Sequence, residues 1–169
     1  MNEIKNHNGE LLFSRMKEMT SARIAIGRSG GSLTTREILD FDEAHARARD
    51  AVWTEFKPEM MMDELARMDS LNEMKMEMEI LGLNSAAKDR ATYLKRPDLG
   101  RRLDHDSIEI IKRMSKRPDL VIIISDGLSS QATMQQAPAF LKYVISLFKD
   151  CSIVPGPILV IPKARVGSS

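Results

Sequence analysis

The chain has 169 residues, with 25 basic against 24 acidic side chains and a formal net charge of +1. This length suits one domain with a helical appendage. The balanced charge argues against nucleic acid as a partner, since a binding face needs excess Lys and Arg to displace counterions from phosphates.

The amino terminus, MNEIKNHNGE, lacks the apolar core of a secretory leader. No apolar run approaches the ~20 residues of a membrane span, so a soluble, cytoplasmic protein is expected. Glu10 to Met19 reads as a short helix, followed by the small apolar piece Ile24-Ala25-Ile26. Gly27–Ser32 reads as a loop, because adjacent glycines disfavour regular structure. Thr34 and Glu37 have capping-box spacing, and Ile38, Phe41, His45, Ala48 and Val52 then mark one face of a helix ending near Trp53. Pro58 opens a second helix with Met61, Leu65, Met68 and Leu71 on one face. The run from Met74 to Ile80 alternates apolar and charged residues; period favours a strand reaching Leu83 although the residues are good helix formers.

Tyr93 to Arg102 reads as a loop, marked by Pro97 and Gly100. Asp104 or Asp106 caps the next helix, whose buried face is Ile108, Ile111 and Met114. Leu120–Ile124 is apolar throughout, the pattern of a strand covered on both faces in a parallel sheet. Ser125–Ser130 turns into a helix with Ala137, Leu141, Val144 and Phe148 inward. Pro155-Gly156-Pro157 then turns the chain into a second buried strand, Ile158–Ile161. Strand, helix, strand is a βαβ unit. The expected class is α/β, an open, largely parallel sheet preceded by a helical region. The expected division is 1–84, mostly helical, and 85–169, a partial α/β region. Ser169 follows a buried strand so closely that a fragment of a longer chain is expected.

Ligands of open parallel sheets bind at the carboxyl ends of the strands. Here those ends are Ser125–Ser130 and Lys163–Ser168. Two readings stand for them: a plain turn with helix-capping serines, or two loops lining one pocket. No G-x-G-x-x-G or P-loop pattern supports a dinucleotide or nucleotide site, and GRSGGS at Gly27–Ser32 is a weak phosphate cradle. His7, His45 and His105 lack zinc-site spacing, and the single Cys151 excludes an intramolecular disulfide and has no basic activator beyond Lys149. His45 is read as a buried or interface histidine, and the methionines between Met60 and Met78 as packing. Arg96, Arg101 and Arg102 form the one basic loop, suited to a partner's carboxylate or a phosphate, or simply solvated. No nucleophile–base pair or carboxylate pair can be assembled from the spacing, which describes a binding module.

Four segments resemble the small subunit of ethanolamine ammonia-lyase. They are ARIAIGRSGGSLTTREILDFDEAHARARDAV (Ala22–Val52), SAAKDRATYLKRPDLGRRL (Ser85–Leu103), PDLVIIISDGLSSQA (Pro118–Ala132) and the closing ARV (Ala164–Val166). The resemblance covers nearly the whole chain from Ala22 onward. It implies an adenosylcobalamin-dependent enzyme that converts ethanolamine to acetaldehyde and ammonia. A large (β/α)₈ subunit binds substrate, and the small subunit's Rossmann-like sheet closes over the cofactor. It further implies that Val166 contacts cobalamin with Arg165 as its polar neighbour, alanine at 164 replacing the family's usual glycine. No catalytic residue is implied for this chain. The family's later cobalamin-contacting segments have no counterpart here, so the alternative is a truncated, non-catalytic assembly protein that binds the large subunit. A cytoplasmic location, with packaging in a bacterial microcompartment, is the corresponding expectation.

Overall fold

The computed structural model describes residues 12–20, 22, 24, 26, 28–69, 71, 78–114, 118–148 and 153–167. Contacts divide the chain into two compact units, Met1–Ala48 and Arg49–Ser169.

In the first unit, residues 12–18 are helical, inside the expected span. The glycine-rich segment is a hairpin rather than a loop. Strands β1 (Arg28–Ser29) and β2 (Ser32–Leu33) pair antiparallel, Arg28 opposite Leu33 and Ser29 opposite Ser32. Gly30 turns between them at φ +63°, the left-handed conformation that a two-residue hairpin turn requires. Gly27 and Ala25 lie outside the described residues. Helix α1 (Thr35–Trp53) begins where the capping pattern placed it, with the Glu37 N–H donating to Thr34 Oγ1 at 3.4 Å. On its apolar stripe Ile38 and Phe41 are exposed, Val52 is half-buried, and His45 is exposed and stacks on Phe41 at 6.0 Å between ring centroids.

The second unit is an α/β layer. Helix α2 (Pro58–Ala66) starts with proline in its first turn, where a missing N–H costs nothing, and buries Met61 and Leu65. Met68 and Leu71 pack beside them, as the periodicity implied. Residues 74–77 of the alternating run lie outside the described residues; the strand described there is β3 (Ile80–Gly82). The stretch from Tyr93 is not a loop but helix α3 (Arg90–Lys95), a turn at Pro97, and a 3₁₀ turn (Leu99–Arg101). Helix α4 (His105–Lys112) takes Asp104 as its cap, Oδ1 accepting from the Ser107 N–H at 2.9 Å. Its buried residue is Ser107, whose hydroxyl accepts from the Asn84 N–H; Ile108 is exposed, while Ile111 and Met114 are half-buried.

Strand β4 (Leu120–Ile124), helix α5 (Ser130–Phe148) and strand β5 (Pro155–Val160) form the expected βαβ unit. The sheet order is β3-β5-β4, every pair parallel, which establishes an α/β class with a small parallel sheet. Two expectations are corrected here. Residues 155–157 do not turn before the strand; they begin it. Leu120 lies opposite Pro155 and Ile122 opposite Ile158, so two steps on β4 match three on β5, and this irregularity absorbs a proline that cannot donate to the ladder. Gly156 is required there, because a Cβ would sit 2.6 Å from Pro118 Cγ. Second, among the described residues β4 is an edge strand covered on one face only. Ile122 and Ile124 join Met61, Leu65, Leu141, Ile145, Ile158 and Val160 under α2 and α5, whereas Val121 and Ile123 stay exposed. On α5 the buried apolar positions are Leu141 and Ile145, with Val144 and Phe148 only half-buried. On the second face, Leu83, Leu159, Ile161 and Ala164 cluster with Leu103 and Ile111. Among the described residues no helix is long and apolar enough to cross a membrane.

Candidate functional site

Because β4 and β5 are adjacent and parallel, the loops leaving their carboxyl ends run side by side. The Ile161 N–H donates to Ile124 O at 2.9 Å, carrying the ladder past β5. Ser125 then substitutes a side chain for the next rung: its hydroxyl donates to Ala164 O at 2.9 Å and accepts from the Ala164 N–H at 3.1 Å. The capping role expected of the serines falls to Ser129, which accepts from the Ala132 N–H, while Ser130 is buried and donates to Thr54 O.

Asp126 is no mere turn residue. It is 3% exposed, its Oδ2 is ion-paired with Arg90, and its Oδ1 accepts from the Lys163 N–H at 2.6 Å. Arg90 is itself buried, with Nε donating to Val52 O at 2.6 Å and Nη1 to Gly127 O at 3.2 Å. A buried pair of this kind is favourable only when further hydrogen bonds satisfy both ions, which these do in part. Helix α3 delivers both Arg90 and Tyr93, three residues apart on one face. Asp89 fixes its start by accepting from the Thr92 N–H at 2.7 Å, a bond that holds the Asp89 carboxyl below the usual carboxylate range.

Tyr93 is fully buried and bridges the two loops, its hydroxyl lying 3.0 Å from Gly127 O and 3.3 Å from Ala164 O. Burial pushes its phenol above the ordinary tyrosine value. The Asp126 charge adds to that push, and Arg165 and Arg90 oppose it. Both guanidinium groups lie against the ring, Arg165 at 4.8 Å and Arg90 at 5.1 Å from its centroid, within cation–π range. Gly100 packs on the same ring; a Cβ there would be 2.8 Å from Tyr93 Cε2 and 2.9 Å from Lys163 O. The Gly100 carbonyl accepts from the Arg165 N–H at 2.8 Å.

These contacts frame an open cavity of about 610 Å³. Ser125, Gly127 and Leu128 line it from one loop and Ala164 to Gly167 from the other, with Ile123 of the open sheet face between them. Of the two readings of the strand ends, the structure therefore favours two loops on one pocket. It brings Arg165 and Val166 together in that lining, Val166 almost wholly exposed and Arg165 half-buried. The basic loop is split by function: Arg96 is tied to Asp98 in a two-point ion pair at 2.8–2.9 Å, Arg101 lines the cavity, and Arg102 is exposed. The lining contains no carboxylate, imidazole or thiol, and the Ser125 and Tyr93 hydroxyls face backbone carbonyls. Among the described residues, no three His, Cys, Asp or Glu side chains converge.

Sequence reasoning missed Arg90 and Tyr93. The usable signal was local: Asp89 with Thr92 three residues on, and Pro97 beyond, delimit a short helix that puts 90 and 93 on one face.

The model of the ethanolamine ammonia-lyase light chain family matches residues 11–169. The small subunit of ethanolamine ammonia-lyase from Bradyrhizobium diazoefficiens is 40% identical over 153 residues, 89% of this chain and 56% of that protein. That of Pseudomonas fluorescens is 39% identical over 155 residues, 89% of this chain and 54% of the relative. That of Xanthomonas campestris pv. campestris is 37% identical over 158 residues, 91% and 55%. The chain thus spans about half the length of the curated relatives it matches. With a match over nearly its whole length, this chain belongs to the ethanolamine ammonia-lyase light chain family.

Proposed function

We propose that this chain serves in the small subunit of an adenosylcobalamin-dependent ethanolamine ammonia-lyase, where it forms one wall of the cobalamin site against the large subunit. The observation that carries the reading is the single cavity shared by the loops at 125–128 and 164–167. Its chemistry suits a corrin. Ile123, Leu128 and Val166 offer apolar contact, and the Arg101 guanidinium in the same lining offers donors to the ring's amide arms. The cavity is too open and too small to enclose the whole cofactor, so another surface must complete the site. Lacking imidazole, thiol and carboxylate, the lining supplies no strong cobalt ligand. When bound, the cofactor supplies the radical by cobalt–carbon homolysis, and the protein positions it. Arg165 and Val166 are the residues assigned to cobalamin, and Arg101, exposed at the rim, is assigned to the face toward the large subunit. The sheet is read as Rossmann-like, with its ligand at the carboxyl ends of the strands. A cytoplasmic enzyme, packaged in a microcompartment where its host builds one, is the matching location.

Reconstitution tests this. The subunit mixed with large subunit, ethanolamine and adenosylcobalamin should release acetaldehyde, and Arg101→Ala should weaken co-purification of the two subunits. Acetaldehyde release by the small subunit alone, or failure of the subunits to associate, contradicts the proposal.

A further inference from the structure

Among the described residues, Lys163 is the only non-glycine with a positive φ, +55°. An L residue with a long side chain is rarely found there, so its surroundings must hold it. The holding contact is charged. The Lys163 N–H donates at 2.6 Å to Asp126, an acceptor fixed by its ion pair with Arg90, and Arg90 is anchored in turn by Val52 O and Gly127 O. Lys163 is followed directly by Ala164, Arg165 and Val166, the segment that enters the cavity. Neither Arg90 nor Asp126 is among the cavity-lining residues.

We propose that the buried Arg90–Asp126 pair is a positioning device, holding Lys163 in its left-handed turn and so aiming Ala164–Val166 into the cavity. The inference rests on the reading above, in which cobalamin meets this loop. Asp126 acts on the ligand through the backbone of residue 163, whereas Arg90 also touches the Gly127 carbonyl and the Tyr93 ring, which line the cavity.

The test uses the subunit reconstituted with large subunit and titrated with cyanocobalamin by absorbance, with amide exchange at Lys163 followed in the free small subunit. Asp126→Asn should weaken cyanocobalamin affinity about tenfold and accelerate exchange of the Lys163 amide, the scale of one lost charged hydrogen bond. Adding Lys163→Gly to that variant should return affinity to within about threefold of the parent, because glycine takes positive φ without strain. A purely structural role predicts no such rescue. Affinity equal to the parent in Asp126→Asn, or a double variant as weak as the single one, overturns the inference. Should Asp126→Asn not fold, Lys163→Pro asks the same question, since proline has no N–H and cannot reach φ +55°. It should lose about tenfold in affinity with little change in melting temperature, and unchanged affinity overturns the inference. Val166→Glu separates the two levels. If it weakens binding while Asp126→Asn does not, only the positioning role falls; if it binds as tightly as the parent, the cobalamin reading falls and takes this inference with it.

Discussion

One face of the parallel sheet is closed by α2 and α5, with Met61, Leu65, Ile145, Ile158 and Val160 all but inaccessible to water. The opposite face is closed over β3 and β5, where Leu83, Leu159 and Ile161 are buried, but open over β4, where Val121 is 40% and Ile123 49% exposed. The same five-residue apolar run supplies both environments. Its alternate residues differ in what covers them, not in their chemistry. Stability is therefore concentrated on the closed face, whereas the open one runs directly into the cavity at the strand ends, with Ile123 in its lining.

The closed face carries the largest expected effect. Ile158→Ala removes a fully buried side chain and should cost about 2–5 kcal/mol in chemical denaturation. Gly156→Ala attacks the join between β4 and β5. The new methyl would meet Pro118 Cγ at 2.6 Å and Leu120 O at 3.1 Å, and should cost about 1–3 kcal/mol without emptying either core. Asp104→Ala loosens α4, which contributes Ile111 to the second face, and should cost about 1 kcal/mol through the lost cap.

Tyr93 makes part of the stability depend on pH. Its phenol is raised in the folded protein, so as pH climbs past about 10 the unfolded chain releases this proton first. Folding stability contributed by Tyr93 is thus complete below that pH and declines as pH rises through the folded value. Tyr93→Phe should abolish that part of the alkaline decline, read as a difference in denaturation midpoint between variant and parent on either side of the window. An alkaline decline identical in both proteins contradicts it. Smallest of all, Ile123→Ala on the open face should change stability by no more than about 0.5 kcal/mol in this chain. A loss as large as that of Ile158→Ala would mean that the open face is covered in solution.

Periodicity made the long elements legible. The capped helix from Thr34, the Pro58 helix with Met61 and Leu65 inward, and the βαβ unit could be read from spacing alone. Short elements could not. Arg90–Lys95 spans less than two turns, too few for a period to emerge, and its capping pattern at Asp89 was obscured by the arginines and proline that follow. The apolar run at 120–124 misled in a definite way, since it implies cover on both faces without identifying an element that provides it. The proline pair at 155 and 157 suggested a turn because a local rule cannot anticipate a ladder irregularity that absorbs it. For the site, topology sufficed to bring the loops after β4 and β5 together. The Arg90–Asp126 pair spans 36 residues, and no local pattern reports such a contact.

In the proposed function, cobalamin rests on the loop ending in Val166. Equilibrium cobalamin binding by the reconstituted two-subunit enzyme tests it most directly. Val166 is 99% exposed in this chain, so its side chain is available to a ligand. Valine can contribute only apolar contact there, worth roughly 1.5–3 kcal/mol at most, and Val166→Ala should cost about tenfold in affinity or less. Val166→Glu should cost far more, because it sets an unpaired carboxylate against the corrin. If the glutamate variant binds cobalamin as tightly as the parent, the loop is not part of the cofactor site and the account is contradicted.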